Sequence, residues 1–309
     1  MTDSVMSSFL RTPLGAAFIR AHHFKYGSRP LIFEDSLAHT MLYPDEISEF
    51  RDFYTKRAQE EISSKAKKIL DPPAAGEVDA FMRNSVIASE VLTRQRYAED
   101  ALRNSERHGV VQYVILGAGM DTYSVRNPLS SLSIFEVDRM EIIESKKQRI
   151  LASGLPMPRS FFYVSSDFQD SSLFNDMLHG GFRPNQPTFF SWLGVTPYLT
   201  LGAIRDTLLI VDKVCGAKSE IVFDYTSPDA LVPETGSPAT IMLAQRLRNV
   251  GQPLQLSLSY ESLQDILVGT RLRIVEHLGP SDIYLKYMAV QSDNYPMPEF
   301  VYFVRLVCA

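Results

Sequence analysis

The sequence predicts an α/β fold in which a doubly wound, mostly parallel, seven-stranded sheet follows an N-terminal helical region and carries a helical cap insertion. Three patterns support this fold class. Before Val110, apolar residues recur at helical spacing. After it, short apolar runs alternate with amphipathic helical stretches, which is typical of a parallel sheet with helices on both faces. Beyond Asp224 the alternation lapses into a proline-rich stretch that we interpret as the cap.

Length and composition are those of an ordinary globular protein. The 309 residues are 45% hydrophobic and 22% charged, which allows a sizeable core. The net charge of −5 argues against a nucleic-acid-binding protein, which would need a basic face. No apolar run approaches the roughly 20 residues that span a bilayer, and the first residues lack the pattern of a signal peptide. We therefore expect a cytoplasmic protein with neither a membrane nor a nucleic-acid partner.

The cysteines and histidines suggest neither a disulfide framework nor a metal site. Cys215 lies in an apolar helical run and Cys308 at the end of an apolar strand, so we expect both to be buried thiols. No HxH, HExxH or clustered Cys/His spacing appears in the sequence. We therefore predict no bound metal.

Residues 1–109 form the predicted N-terminal helical region. Apolar periodicity predicts helices over Leu14–Phe24, Asp45–Leu70 and about Val78–Arg107. The sequence DPPAAG, from Asp71 to Gly76, ends the second helix. We expect this region to pack on the core as part of a single structural unit.

Residues 110–309 form the predicted core. Strands are predicted in YVILG, SIFEVD, FFYVS, PTFFSWLG and SEIVFDY, then near Arg273–His277 and in the final run EFVYFVRLVCA. Helices between them are predicted over Met140–Ala152, Ser171–Leu178 and Leu201–Val214. The cap spans about 227–259, where prolines surround the helix-like stretch ATIMLAQRLRNV.

The first core strand ends in Gly-Ala-Gly, at the edge of the predicted sheet where ligands bind. Gly117 and Gly119 permit a sharp turn and close approach of a ligand to the main chain. Asp138 ends the next strand, where an acid commonly binds a ribose diol. The pattern indicates an adenosine cofactor, and both NAD and S-adenosylmethionine remain open.

Two residues favour S-adenosylmethionine. A full GxGxxG motif would need a third glycine at position 122, where the chain has Thr122. That glycine lets a helix N-terminus approach the pyrophosphate of NAD. The carboxylate of Asp121 would repel a pyrophosphate but tolerate a sulfonium or an ammonium group.

Four blocks of the sequence resemble those of the leucine carboxyl methyltransferase family, in particular its bacterial and fungal small-molecule branch. The blocks are QYVILGAGMDTYSVR (112–126), FEVDRMEIIESK (135–146), SSDF (165–168) and WLGVTPYLT (192–200). Upstream, TRQRYAEDAL (93–102) matches the arginine-bearing helix that precedes the first strand. The resemblance spans most of the chain, and it implies a Rossmann-like methyltransferase fold, methyl transfer and S-adenosylmethionine as the cofactor.

The resemblance also implies a role for each matching residue. Arg94 would bind the methionyl carboxylate of the cofactor as a charge-assisted pair, and Gly117 would let the methionyl part cross the strand end. Asp138 would hold the ribose hydroxyls, and Asp167 with Phe168 would frame the adenine. The predicted cofactor-binding residues are therefore Arg94, Gly117, Gly119, Asp121, Asp138, Asp167 and Phe168.

The fourth block departs from the family at one position, because Leu193 stands where many members have a glutamate. A carboxylate near the sulfonium or amino group is therefore missing unless Asp121 or another acid replaces it. Tyr198 in the same block is the candidate catalytic residue that would touch the substrate, with packing of its ring as the alternative.

Five further residues are weaker candidates for the site. His22 and His23 are possible bases on the first helix, although we favour solvated or capping roles for them. Arg96 is better explained as a surface arginine, and Arg20 is open between a surface position and the site. Tyr225, just past the strand SEIVFDY, is a weaker candidate than Tyr198 for contact with the substrate.

We predict an S-adenosylmethionine-dependent O-methyltransferase that acts on a small molecule by in-line displacement. A carboxylate acceptor is slightly preferred, because it is already anionic, whereas a hydroxyl would benefit from a base. An NAD(P)-dependent oxidoreductase is the alternative from another class, and Thr122 counts against it. A non-catalytic family member is a further alternative that Leu193 suggests. The oligomeric state is left open.

Overall fold

A computed structural model of the protein describes residues 8–66, 74–168, 172–232, 234–236, 238–249, 251 and 253–309. The N-terminal helices are α1 (Ser8–Tyr26), α2 (Pro44–Ala66), α3 (Ala75–Arg83) and α4 (Val86–Arg107). The strands are β1 (Gln112–Leu116), β2 (Ser133–Asp138), β3 (Phe161–Ser165), β4 (Thr188–Trp192), β5 (Glu220–Thr226), β6 (Leu272–Leu278) and β7 (Val301–Cys308). The helices between them are α5 (Tyr123–Arg126), α6 (Met140–Ser153), α7 (Leu173–His179), α8 (Leu201–Val214), α9 (Pro238–Asn249), α10 (Tyr260–Leu267) and α11 (Pro280–Tyr287).

Across the described residues the strands form one seven-stranded sheet in the order β3-β2-β1-β4-β5-β7-β6. Neighbouring strands from β3 to β5 are parallel, and β7 is antiparallel to both β5 and β6. The strand order reverses at β1, so the chain leaves β1 and β4 in opposite directions and a crevice opens at their carboxyl ends. The predicted α/β class, with a mostly parallel seven-stranded sheet, is confirmed.

Helices cover both faces of the sheet, which explains why the central strands are apolar throughout. Every residue of β1 and β4 is buried, as expected for parallel strands with helices on both sides. On one face α4 packs through residues such as Leu92 and Tyr97, whose ring stacks 5.2 Å from that of Phe303 on β7. This packing fixes α4 beside the crevice.

The predicted helix over Val78–Arg107 is wrong as a single element. Instead α3 ends at Arg83 and α4 begins at Val86. Ser85, between them, adopts an extended conformation with φ −87° and ψ 128°, which a continuous helix does not contain. Asn84 and Ser85 are polar residues that favour helix ends over helix interiors. The predicted end of the preceding helix at Leu70 lies outside the described residues.

The prediction of two buried thiols is also wrong, because Cys215 and Cys308 form a disulfide with their Cα atoms 6.5 Å apart. Both residues are buried, as expected. The pairing follows from the sheet: Cys215 directly follows α8, which leads into β5, and Cys308 ends β7, which lies against β5. Strand order is a property of the fold, so the wide spacing of the cysteines in the sequence carried no signal of it.

Candidate active site

A cavity of about 370 Å³ lies at the carboxyl ends of β1, β2 and β4. The helices α1 and α4 supply part of its wall, through Thr12, Pro13, Ala16, Arg20, Val91, Arg94 and Gln95. The segment after α9 contributes Gly251, Pro253 and Gln255. The cap predicted at about 227–259 therefore reaches the cavity through its last third.

All the site residues predicted from the sequence line this cavity. They are Arg94, Gly117, Gly119, Asp121, Asp138, Asp167, Phe168 and Tyr198. These residues come from α4, from the end of β2, from the segments after β1 and β3, and from the turn after β4, so their meeting is a consequence of the fold. Their individual contacts with a cofactor stay predictions.

The glycines after β1 are required by the backbone and by close packing. Gly117 has φ +72°, and a Cβ atom there would lie 2.3 Å from the Cγ2 atom of Val195. Gly119 has φ +49°, and its Cβ would lie 3.1 Å from the Cβ of Pro13 on α1. A left-handed φ strains any larger residue at both positions, and at Gly117 the 2.3 Å contact would also displace Val195. The turn can therefore lie directly under α1 and the turn after β4.

Asp138 has its carboxylate held at the cavity by two backbone amides. Gly119 N donates to Oδ2 at 2.7 Å, and Arg139 N donates to Oδ1 at 2.8 Å. Burial raises the pKa of the Asp138 carboxyl, and the two N–H donors oppose this. Each carboxylate oxygen can accept a second hydrogen bond, so the group retains capacity for a diol.

Glu136, the other acid of β2, has a structural position. Its side chain is fully buried in an ion pair with Lys146 Nζ at 2.5 Å, and it accepts a hydrogen bond from Ser124 Oγ at 2.9 Å. Both charged groups of the pair are 1% exposed. Asp138, and not Glu136, lines the cavity.

Asp121 is held by a neighbouring helix. Gln95 Nε2 of α4 donates to its Oδ2 at 2.7 Å, and Tyr123 N donates to Oδ1 at 2.6 Å. Burial would raise the pKa of the Asp121 carboxyl, but the charges of Lys146 and Arg20 outweigh this and hold it below its usual value. The carboxylate is therefore an anion that faces the cavity with its orientation fixed.

Thr122 and Arg20 belong to a buried polar network behind the cavity. Arg20 Nε donates to Asp35 Oδ2 at 2.8 Å, and its Nη2 donates to the carbonyl of Met120 at 2.6 Å. Thr122 Oγ1 donates to the same Asp35 oxygen at 2.7 Å and accepts from Arg126 Nε at 2.9 Å. Arg20 is 4% exposed, so the surface interpretation is excluded. The network links α1 to the turn after β1.

Arg94 lies in a socket made by β5 and the turn after β4. A Cβ atom at Gly194, which has φ +67°, would lie 2.5–2.7 Å from the guanidinium atoms of Arg94. Asp224 Oδ2 lies 3.6 Å from Arg94 Nη1, while Asp224 Oδ1 accepts from Gly194 N at 2.6 Å. The guanidinium thus rests against bare backbone, beside one carboxylate, with its side chain 18% exposed.

Tyr198 lies on the 3₁₀ turn Thr196–Tyr198, next to Arg94. Its hydroxyl is hydrogen-bonded to Thr12 of α1, and burial raises the pKa of Tyr198 while the Arg94 charge opposes the rise. The phenol is therefore neutral at pH 7. Leu193, which also lines the cavity, makes the wall apolar where the family pattern has a carboxylate.

Asp167 and Phe168 follow β3 and form another side of the cavity. Both side chains are half-buried. The Phe168 ring lies 6.1 Å from that of Trp192 at the end of β4, which ties its position to the core. A carboxylate beside a fixed aromatic ring suits an aromatic base that carries an exocyclic amine.

Both histidines proposed as bases lie away from the cavity wall. His22 Nε2 is 2.8 Å from Asp79 Oδ1, and His23 Nδ1 is 2.7 Å from the hydroxyl of Tyr295. Burial lowers the pKa of His23 to about 4. The prediction that they are solvated or capping residues was wrong, because both are buried and hydrogen-bonded within the fold.

Two other weak candidates are also placed elsewhere. Arg96 is a surface arginine, as preferred, and its Nε donates to Asp100 at 2.8 Å. Tyr225 is buried behind the sheet edge, where its hydroxyl bonds His277 Nε2 at 2.9 Å and its ring stacks on Tyr302. Neither residue is part of the cavity wall.

The sequence reasoning missed Gln95, Gly194 and Asp224. Gln95 follows Arg94 directly, but its partner Asp121 is on another element. Asp224 near the end of a predicted strand was a usable signal, of the kind that identified Asp138. The importance of Gly194 is visible only in the structure, where a side chain at this position would meet the guanidinium of Arg94.

The acids at the cavity do not form a metal site. In the part of the chain that the structure describes, no group of three or more His, Cys, Asp or Glu side chains is placed to hold a metal.

The helices of the described residues include none with the length and apolar character needed to cross a membrane.

Comparisons with known proteins give the family and a set of relatives. A family model described as leucine carboxyl methyltransferase matches residues 13–211. A Bacillus subtilis (strain 168) protein named "Putative S-adenosyl-L-methionine-dependent methyltransferase YktD" is 29% identical over 305 residues, which are 96% of this chain and 97% of that protein. A Parafrankia protein named as a methyltransferase with the same cofactor is 29% identical over 217 residues, which are 69% of this chain and 62% of that protein.

Solved structures show a similar fold. A DUF574 family protein from Streptomyces avermitilis has a TM-score of 0.55 at 14% identity, with 94% of this chain and 97% of that chain covered. A structure described as a putative methyltransferase from Thermobifida fusca has a TM-score of 0.51 at 15% identity, with coverages of 75% and 88%. At these identities the likeness concerns the fold alone.

Proposed function

The chain belongs to the leucine carboxyl methyltransferase family, and on that premise we propose that it is an S-adenosylmethionine-dependent O-methyltransferase acting on a small molecule. Relatives that align with most of the chain are named as methyltransferases with this cofactor. The observation that carries the proposal is the convergence, in one cavity, of every residue predicted to bind the cofactor.

The cavity fits a donor that has a carboxylate at one end and a nucleoside at the other. A cation at Arg94, a carboxylate with spare acceptor capacity at Asp138, and an acid beside an aromatic ring at Asp167 and Phe168 are the complements of a carboxylate, a ribose diol and an adenine. Gly117 leaves the backbone bare between them. When bound, S-adenosylmethionine supplies a methyl group activated by the sulfonium.

The protein's own contribution is alignment and the exclusion of water. Displacement at an activated methyl group mainly requires that the nucleophile be held in line and desolvated. The helix α1 and the segment after α9 cover the strand ends, and the second is anchored by Gln255 N, which donates to the carbonyl of Pro197 at 2.7 Å. These elements would hold a small acceptor against Leu193, Tyr198 and Leu199.

An oxygen nucleophile that is already anionic suits this site best. No histidine occurs among the described residues that line the cavity, and burial keeps the Tyr198 phenol protonated by raising its pKa. A carboxylate acceptor needs no proton removed at neutral pH, whereas an alcohol or a phenol would benefit from a base. We therefore favour a carboxylate acceptor over a hydroxyl.

The turn after β1 disfavours a nicotinamide-dependent oxidoreductase. The helix after β1 has only four residues, Tyr123–Arg126, so the long helix whose N-terminus binds a pyrophosphate in dinucleotide folds is absent from this described part of the chain. Thr122 is committed to Asp35, and Asp121 places an anion at the cavity.

Calorimetric titration with S-adenosylhomocysteine, NAD⁺ and NADP⁺ tests the proposal. We expect S-adenosylhomocysteine alone to bind. Binding of only a nicotinamide nucleotide would overturn the methyltransferase assignment. Incubation with a radiolabelled methyl donor and a panel of small carboxylic acids and phenols would then test the acceptor class, and labelled phenols without labelled acids would reverse our preference.

A further inference from the structure

A short segment of the cap is fastened to the turn after β4 by three hydrogen bonds. Gln255 N and Leu256 N both donate to the carbonyl of Pro197, at 2.7 and 3.3 Å. Ser257 Oγ donates to the carbonyl of Leu199 at 2.7 Å. The turn that holds these two carbonyls forms the part of the cavity wall against which we place the acceptor. The cap segment therefore lies beside the acceptor and not beside the nucleoside end of the cavity.

The backbone of this segment is constrained at Leu256. Its φ of +43° is in the left-handed region, which residues with a side chain rarely adopt. The Leu256 side chain is only 3% exposed, so its burial and the bond to Pro197 hold an otherwise unfavourable conformation in place. Backbone strain of this kind persists where the surrounding structure fixes it, and it is concentrated at ligand sites. The constraint fixes the position of the preceding residue, Gln255, which lines the cavity.

Gln255 differs from the other polar residues of the cavity wall that we do not assign to the cofactor. The side chains of those residues all interact within the fold, and they are Thr12, Arg20, Gln95, Arg139 and Tyr198. Within the described part of the chain, the side-chain amide of Gln255 has no hydrogen-bond partner. The residue is also exposed. Its amide is therefore available to a ligand in the cavity.

The chemistry of the wall around Gln255 indicates what that ligand carries. A side-chain amide both donates and accepts hydrogen bonds but has no charge. It therefore complements a neutral polar group, such as a hydroxyl. The neighbouring part of the wall is apolar, through Leu193, Val195 and Leu199. An acceptor that fits both features has an apolar body and a neutral polar group away from its carboxylate.

We propose that Gln255 is the residue of the cap that selects the acceptor. Its side-chain amide hydrogen-bonds a neutral polar group of a carboxylic acid whose apolar body lies against Leu193, Val195 and Leu199. The inference rests on the proposed function, because it takes the carboxylate of the acceptor as the group that is methylated. Gln255 takes no part in the transfer itself, so its loss changes the binding of the acceptor and leaves the binding of the cofactor unchanged.

The test uses matched pairs of acids that differ by one hydroxyl: phenylacetic acid with 4-hydroxyphenylacetic acid, and octanoic acid with 8-hydroxyoctanoic acid. Calorimetry gives the dissociation constant of each acid for protein saturated with S-adenosylhomocysteine. Wild-type protein is compared with Gln255→Met, which keeps the length of the side chain and removes the amide. Gln264→Met, which changes an exposed glutamine of α10 outside the cavity wall, is the matched control. Thermal unfolding checks that each variant is folded.

We expect the wild type to bind the hydroxy acid of at least one pair about three- to tenfold more tightly than the parent acid, which is the ratio for one neutral hydrogen bond. Gln255→Met should lose this preference, and Gln264→Met should keep it. Both variants should bind S-adenosylhomocysteine as tightly as the wild type does.

The proposal and the function on which it rests fail in different ways. Equal affinities within both pairs for the wild type, a preference that survives in Gln255→Met, a preference that is also lost in Gln264→Met, or no binding of either hydroxy acid would overturn the role of Gln255. Each of these results leaves the binding of the cofactor intact. Failure of the wild type to bind S-adenosylhomocysteine would instead overturn the proposed function.

Discussion

The molecule contains two charged clusters, Lys146 with Glu136 in the core and Arg94 with Asp224 at the cavity, and they differ in how closely the charged groups are paired. In the core, Lys146 and Glu136 are each 1% exposed and lie 2.5 Å apart. At the cavity, Arg94 is 18% exposed and lies 3.6 Å from Asp224, beyond hydrogen-bond distance. The cations of both clusters, Lys146 and Arg94, come from sequence blocks that resemble the same family, yet of these two only Arg94 has capacity for a ligand.

The contrast shows that a charged residue in a family motif can serve the fold or the ligand. Charged groups that are paired within the fold hold α1 and α4 against the turn after β1. Arg20 of α1 donates to the carbonyl of Met120 and to Asp35, which Thr122 also bonds. Glu99 of α4 pairs with Arg126. Removing one partner of such a pair leaves an uncompensated buried charge, which costs stability. Removing a loosely paired cation at a cavity should instead cost ligand affinity.

The largest expected effect comes from breaking the core pair. Lys146→Met leaves Glu136 buried without a partner and should lower the free energy of unfolding by about 3–5 kcal/mol. Denaturant unfolding measures the change. The control is Lys147→Met, which removes an exposed lysine paired with Glu144 and should change stability by less than about 0.5 kcal/mol. Equal losses in the two variants would mean that the buried pair has no special role.

Replacing Arg94 at the cavity should give an intermediate effect, on ligand affinity and not on stability. Arg94→Ala should weaken binding of S-adenosylhomocysteine by about 1.5–3 kcal/mol, the range for hydrogen bonds to charged groups. The surface variant Arg96→Ala is the matched control from the same helix and should leave the affinity unchanged. Calorimetry gives both values, and an unaltered affinity in Arg94→Ala would show that the carboxylate is held elsewhere.

The smallest effect concerns the contact between α1 and the turn after β4. Tyr198→Phe removes the hydroxyl that bonds Thr12 and should lower stability by about 0.5–1.5 kcal/mol, with faster amide hydrogen exchange in α1. Tyr225→Phe removes the bond to His277 outside the cavity and should leave exchange in α1 unchanged. Identical amide hydrogen exchange in α1 for the two variants would show that Tyr198 does not help to hold α1 over the cavity.

The sheet and most of the cavity could be predicted because they follow from local patterns. Alternating apolar runs give the strands, and parallel strands bring their carboxyl ends to one edge, where Gly119 and Asp138 meet. Features that depend on partners distant in the sequence could not be predicted. The disulfide needs β7 beside β5, and the socket of Arg94 needs Asp224 of β5 and the bare backbone of Gly194.

The sequence also could not predict the environment of a single side chain when two environments suit the same residue. His23 could have capped a helix in solvent, but it is buried against Tyr295, and burial lowers its pKa to about 4. Glu136 and Asp138 share one face of β2, and only the depth of each along the strand decides which forms an ion pair and which lines the cavity.

A crystal structure with S-adenosylhomocysteine bound would test the central claim most directly. The account predicts that the amino-acid carboxylate of the ligand contacts Arg94 and that its ribose hydroxyls donate to Asp138. A ligand bound away from the ends of β1 and β2, or one whose carboxylate contacts another cation, would contradict it.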